Sequence, residues 1–306
     1  MKFWMIAAIG LIAGPAATQV TPRTPPPRVV PTAAGAPRTI LFIGNSFTQG
    51  AHSAVRNWRA NTVSDLNNAR YGGVPALFKH FTERVGLNYQ VSLETQGGQT
   101  LGFHYEQRRH LFDRAWNIVV LQEYSTLDPQ RPGEATGYLR DAARLTALFR
   151  ARNPGVAVHL MATWTRADQT YRPTGAWYGK PVTAMADDLR RAADRVRGAT
   201  PGVASVLPVG QAWNRAFATG VADANPYDGV AFGQLDLWSF DQYHASIAGY
   251  YLEALVVFGR VTGIDPRILG RNESAADELG LSPAQAVALQ TVASEELAAD
   301  LVRPRR

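Results

Sequence analysis

The sequence predicts an α/β fold, a doubly wound parallel sheet with helices on both faces, and three observations lead there. Short runs rich in β-favouring apolar residues alternate with longer segments of helical periodicity. Several of those runs are apolar at every position, the pattern of strands covered on both sides, as in Ile118-Val-Val-Leu121. The intervals between runs are long enough for right-handed helical crossovers.

Taken in order, the first strand is Thr39–Ile43, closed by Gly44-Asn45-Ser46. A long polar interval, Gln49 to Gly73, follows with little periodicity. Connections of that length are uncommon in compact domains and often wall a site, so it is expected to border a pocket; a surface insertion with a short helix around 55–67 is the equal alternative. Val74, Leu77, Phe78, Phe81 and Val85 have helical spacing, and the helix stops at Gly86. Tyr89–Leu93 alternates as a second strand ended by Gly97-Gly98, and one helix is expected over Leu101–Phe112. Strands at 118–121, 156–162 and 203–209 bring the sheet to about five, interleaved with helices at 134–150 and 185–196. A helix with an apolar middle spans Ala245–Thr262, and Ser282-Pro283 caps a last one reaching about Leu301.

The ends differ in kind from this domain, which is expected to occupy residues 38–306. Met1-Lys2 and an apolar run from Phe3 to Ala13 read as a signal peptide over residues 1–17, because the run is shorter than the ~20 residues of a membrane span. Residues 18–37 hold six prolines and almost no large apolar side chain, which predicts a disordered linker. The expected location is therefore periplasmic or secreted, with no stable membrane span. The chain has no cysteine, so thiolate catalysis, disulfides and lipid attachment through an N-terminal cysteine are excluded. A formal charge of +6 does not imply a nucleic-acid partner: the only lysines are Lys2, Lys79 and Lys180, and the arginines are scattered among acids without a basic stripe, except for a small basic tail of Arg303, Arg305 and Arg306.

Ser46 stands at the carboxyl end of a strand, where open α/β sheets build sites, and a serine hydroxyl needs a base to become a nucleophile. The candidate base is His244, with Asp241 three positions before it, so that both can face one way on a turn of chain. The carboxylate would then fix the imidazole tautomer. Trp164 ends the fourth strand on the same sheet edge and is expected to line the pocket. His104 and His110 do not share a helix face and His159 lies in a strand, so no metal site is expected. Glu123 has no identifiable partner carboxylate for glycosidase chemistry.

Three blocks in this order, Gly44-Asn45-Ser46-Phe47-Thr48, Gly97-Gly98-Gln99-Thr100 and Asp241-x-x-His244, resemble those of the SGNH (GDSL-like) hydrolase superfamily over roughly residues 38–263. The resemblance implies a three-layer, flavodoxin-like sheet and an esterase, with Ser46 as nucleophile, His244 as base and Asp241 as its orienter. It further implies an oxyanion hole from the backbone N–H groups of Ser46 and Gly98. Two departures stand out. Asn45 replaces the usual aspartate of the first block and is expected at the substrate, and no G-x-N-D block follows the third strand. Gln122 carries the same amide on one more methylene and is assigned there as the third oxyanion donor. No cofactor is expected, and the expected substrate is a small-molecule or carbohydrate ester. An alternative of another class is a catalytically degenerate protein that binds cell-envelope glycan.

Overall fold

The structure is a computed structural model that describes Met1 and residues 36–303; the expected signal peptide and almost all of the expected linker lie outside the described residues. Six strands, β1 (Arg38–Gly44), β2 (Ser64–Asp65), β3 (Tyr89–Thr95), β4 (Ile118–Gln122), β5 (Ala157–Ala162) and β6 (Val203–Pro208), form one sheet in the order β2-β3-β1-β4-β5-β6. Every pairing is parallel. The five expected strands are present. The sixth, β2, is a two-residue edge strand from the long polar interval, paired to Ser92 and Leu93 and too short to leave a period in the sequence.

The helices are α1 (Ser46–Gln49), α2 (Gly73–Arg84), α3 (Leu101–Phe103), α4 (Arg109–Phe112), α5 (Thr136–Arg152), α6 (Ala167–Tyr171), α7 (Thr183–Ala199), α8 (Val209–Ala218), α9 (Ile247–Thr262), α10 (Ser274–Glu278) and α11 (Pro283–Leu301). Ile40 and Phe42 of β1 point into a core shared with α2, α8, α9 and α11, while Leu41 and Ile43 point into one shared with α5 and α7. This is why β1 is apolar at successive positions. The single helix expected over 101–112 is instead split by a π-helical turn, His104–Arg108. That turn carries His104 fully inside, with Nδ1 2.5 Å from the buried Glu94 Oε2.

Without β2 the order is that of the flavodoxin-like sheet, in which the chain reverses direction beside β1. The carboxyl ends of β1, β3 and β4 therefore meet at the switch point, and they carry Ser46, the glycine turn and Gln122 respectively. The His244 segment reaches the same edge through α9. Ser246 caps that helix by accepting from Gly249 N–H, and Gly263 ends it at φ +73°.

Gly249 sets how closely α9 approaches the preceding loop, since a Cβ there would lie 2.4 Å from Leu237 O and 2.6 Å from the Trp213 ring. Gly249→Ala is expected to destabilise the protein by about 1–3 kcal/mol through overpacking. Denaturant titration checks this, and an unchanged midpoint would refute the tight approach.

Candidate active site

The β1 strand ends at Gly44, Asn45 caps α1, and Ser46 is the first residue of that helix. Asn45 Oδ1 accepts from Phe47 N–H at 3.3 Å. Its Nδ2 donates to Gln99 O at 3.1 Å and to Glu123 O at 3.4 Å, so one side chain ties together the ends of β1, β3 and β4. Gly44 is required by crowding: a Cβ would sit 2.5 Å from Thr48 Oγ1 and 2.6 Å from Gln122 Oε1.

The second half of the site is the turn 241–244. Asp241 Oδ1 accepts from the N–H groups of Tyr243 (3.1 Å) and His244 (3.0 Å), and Gln242 takes φ +57°. Its other oxygen, Oδ2, lies 2.6 Å from His244 Nδ1, and His244 Nε2 lies 2.9 Å from Ser46 Oγ. With a carboxylate against Nδ1, that nitrogen carries the proton and Nε2 presents a lone pair to the serine hydroxyl. Ser46 is half-buried while Asn45 and Phe47 on either side are buried. The structure thus brings together Ser46, Asp241 and His244 from segments 198 residues apart.

Neither Ser46 N–H nor Gly98 N–H makes an intramolecular hydrogen bond among the described residues. Gly98 is held at φ +72° beside Gln99, whose carbonyl Asn45 holds.

Three residues expected at the substrate are placed elsewhere. Gln122 is fully buried: its Oε1 accepts from Asn45 N–H at 2.9 Å and from Thr48 Oγ1 at 3.1 Å, and its Nε2 donates to Glu123 O. Buried in this way, the amide braces the serine turn from below and does not face a substrate. Asn45 is buried with both side-chain polar atoms engaged internally, so it too is structural. Trp164 is fully buried, stacked between Phe47 (4.0 Å) and Trp213 (4.8 Å), and donates from Nε1 to Tyr243 O at 3.2 Å. It supports the floor beneath the serine and the histidine rather than lining a pocket.

No family profile and no curated protein matches the sequence. Solved structures do match the fold. A DUF4886 family protein from Bacteroides uniformis aligns with TM-score 0.54 at 16% identity, over 86% of this chain and 95% of that one. An acetylxylan esterase from Geobacillus stearothermophilus aligns with TM-score 0.47 at 17% identity, over 76% and 97%. A lipase/acylhydrolase from Enterococcus faecalis aligns with TM-score 0.45 at 16% identity, over 74% and 96%. The chain shares with the Bacteroides protein an α/β fold, one parallel sheet between two layers of helices.

One neighbour of the site leaves no signal in the sequence, His52, which lies in the non-periodic interval. Its ring centroid is 4.4 Å from that of His244 and its Nε2 is 4.0 Å from Asp241 Oδ2. The interval is fastened in place, not hinged: Ser239 Oγ donates to His52 O at 2.8 Å, Tyr250 OH to Ala51 O at 3.0 Å, and Arg59 and Trp58 to Glu278 of α10. His52, Asp241 and His244 present ligand atoms within 4.8 Å of one another.

Burial is the largest influence on His244 and lowers its pKa; Asp241 pushes it up, and the nearby His52 and Arg166 charges push it down again. The net direction is down, so the ring is neutral at physiological pH, as a base must be. Burial alone would raise Asp241, but the bonds from the His244 ring and from two backbone N–H groups outweigh it and hold the carboxyl low. Glu123 behaves oppositely: burial pushes it up to about 8, although Oε1 accepts from Tyr124 and Leu101 N–H.

Two stability measurements follow from this geometry. Gln122→Leu leaves the Asn45 N–H without a buried acceptor and is expected to cost about 1–3 kcal/mol; a variant as stable as wild type would contradict the bracing role. Because the folded-state pKa of Glu123 lies above its unfolded value, its contribution to stability should fall as pH rises from the ordinary carboxyl range to about 8, then level off. Glu123→Gln should flatten that decline in denaturation midpoints measured across the window, and an unaltered slope would place its origin elsewhere.

Proposed function

We propose that this protein is an exported serine esterase that cleaves small acyl esters, including those on carbohydrates, through an acyl-enzyme on Ser46. The observation that carries the proposal is the unbroken line Asp241 Oδ2, His244, Ser46 Oγ with spacings of 2.6 and 2.9 Å. Export rests on the apolar N-terminal segment of the sequence.

In the proposed cycle, His244 Nε2 takes the hydroxyl proton as Ser46 Oγ attacks the carbonyl carbon, and Asp241 stabilises the resulting imidazolium. The Ser46 and Gly98 N–H groups receive the oxyanion. Donors aimed in this way are worth about 3–4 kcal/mol each. Collapse breaks the carbon–oxygen bond to the leaving alcohol, which takes the proton from His244. Water then repeats the attack with the same base, the acid departs, and the serine is regenerated. The Gln122 amide takes no part beyond holding the turn.

A fluorophosphonate probe should label the wild-type protein and spare Ser46→Ala, with kcat/KM on an acetyl ester falling by about 10⁴-fold or more in His244→Ala. Labelling of both proteins alike would sink the assignment, and an unlabelled wild type that retains glycan would favour a binder. The pH profile supplies a second check: since burial lowers His244, activity should persist below the pH at which an exposed imidazole titrates and fall only on further acidification. N-terminal sequencing of secreted material should find the chain beginning beyond the apolar segment.

A further inference from the structure

A second opening lies beside the candidate oxyanion turn. It is a cavity of about 500 Å³ between the interval 49–73 and the end of β3, with Arg56, Asn67, Asn68, Gln96, Gly97 and Arg108 among its walls. It shares the glycine turn with the site, and Gln49, the last residue of the serine helix, also borders it.

Its charge is one-sided. Two guanidinium groups face it and no carboxylate lines it. Arg166 is paired with Asp168 and Arg190 with Asp194 and Asp300, whereas Arg56 and Arg108 form no ion pair among the described residues. The Nε atoms of both are buried without a hydrogen-bond partner. Asp65, the acid nearest in sequence to the loop wall, does not line the cavity, and both its oxygens are engaged, accepting from Asn67 and Tyr71 N–H.

The two arginines are also held in place. The Arg56 guanidinium lies 4.3 Å over the Tyr71 ring and donates from Nη2 to Tyr71 OH, leaving its Nε unpartnered, and Arg108 ends the π-helical turn, a local widening of the helix that recurs at functional sites. Asn67 anchors the intervening wall by donating to Thr95 O at 2.9 Å. Buried guanidinium N–H groups without acceptors are costly, and a planar fork of donors matches a carboxylate, phosphate or sulfate.

We infer that this cavity is an anion subsite and that the substrate carries a negatively charged group, such as a uronate carboxylate, on the side of the ester that lies against the glycine turn. The inference rests on the esterase reading only for the word substrate; the anion site stands on the cavity itself.

The test compares an O-acetylated glucuronoside with its matched, uncharged glucuronamide. Wild-type kcat/KM should favour the acid by about tenfold or more, the size expected of one good charged hydrogen-bonded contact. Arg56→Gln and Arg108→Gln should each erode that ratio, chiefly through KM, and Arg108→Lys should restore part of it. Fluorophosphonate labelling of Ser46 in each variant reports that the fold is intact. A wild type indifferent to the charge, or a preference that survives the double variant, overturns the proposal. If neither ester is turned over, the esterase reading fails alone, and the anion site is judged by equilibrium binding of glucuronate: weaker binding to Arg108→Gln supports it, and equal binding refutes it. Inorganic phosphate that binds at Arg108 without slowing turnover of the acidic ester would mark a free-anion site and remove the substrate assignment.

Discussion

The constraint on which this site depends is that three strands end side by side in the interior, each leaving backbone groups that need partners. Gln122 and Asn45 meet that demand between them. The Gln122 carbonyl takes the Asn45 N–H, and the Asn45 amide reaches the carbonyls of Gln99 and Glu123. The positions of the serine, the glycine turn and the end of β4 are thereby set by two buried amides, so the geometry at Ser46 is fixed before any substrate arrives. Placing the extra methylene of glutamine under the turn, rather than in the pocket, uses its length to reach across from β4 to β1.

This arrangement explains which parts were legible in the sequence. β-branched and aromatic runs report burial on both faces, so β1, β3, β4, β5 and β6 could be read from their residues, and Ser46 and His244 from their places at element ends. The direction of a side chain at such a place leaves no periodic trace. Gln122, Asn45 and Trp164 each stand at the sheet edge that their places in the sequence predict, and each turns inward, because a buried strand end has unsatisfied backbone and apolar volume to fill. His52 was invisible for another reason. It sits at φ +60° in an interval whose two-residue strand and 3₁₀ turns are stabilised by contacts to distant segments, among them Ser239, Tyr250 and Glu278. Long-range fastening of that sort has no local signature.

The electrostatic design follows from the same packing. The stack of Phe47, Trp164 and Trp213 lies beneath the serine helix and Phe47 meets the His244 ring edge-on at 5.6 Å, so the imidazole is desolvated on its inner side. Desolvation favours the neutral base, and Asp241 favours the cation that forms when the base takes a proton. In the proposed esterase cycle these opposing influences serve different moments of one reaction. The ring is kept free of a proton in the resting state, and the carboxylate, itself held ionised by three hydrogen bonds, is ready when charge develops.

Asp241 has little reserve for any other task. Its Oδ1 is occupied by two backbone N–H groups that build the turn, and its Oδ2 by the imidazole. His52 stands 4.0 Å from that second oxygen, beyond hydrogen-bond reach, so it neither competes for the carboxylate nor pulls it out of line. Its influence on His244 is instead that of a like charge when protonated, acting in the same direction as burial and as Arg166. Three separate segments thus bias one ring toward neutrality, and the single opposing group is the one the turn geometry cannot release without unfolding itself. The fitness of His244 for its proposed role as base is in this sense a property of the backbone turn, because the same carboxylate that orients the ring also closes the loop that carries it.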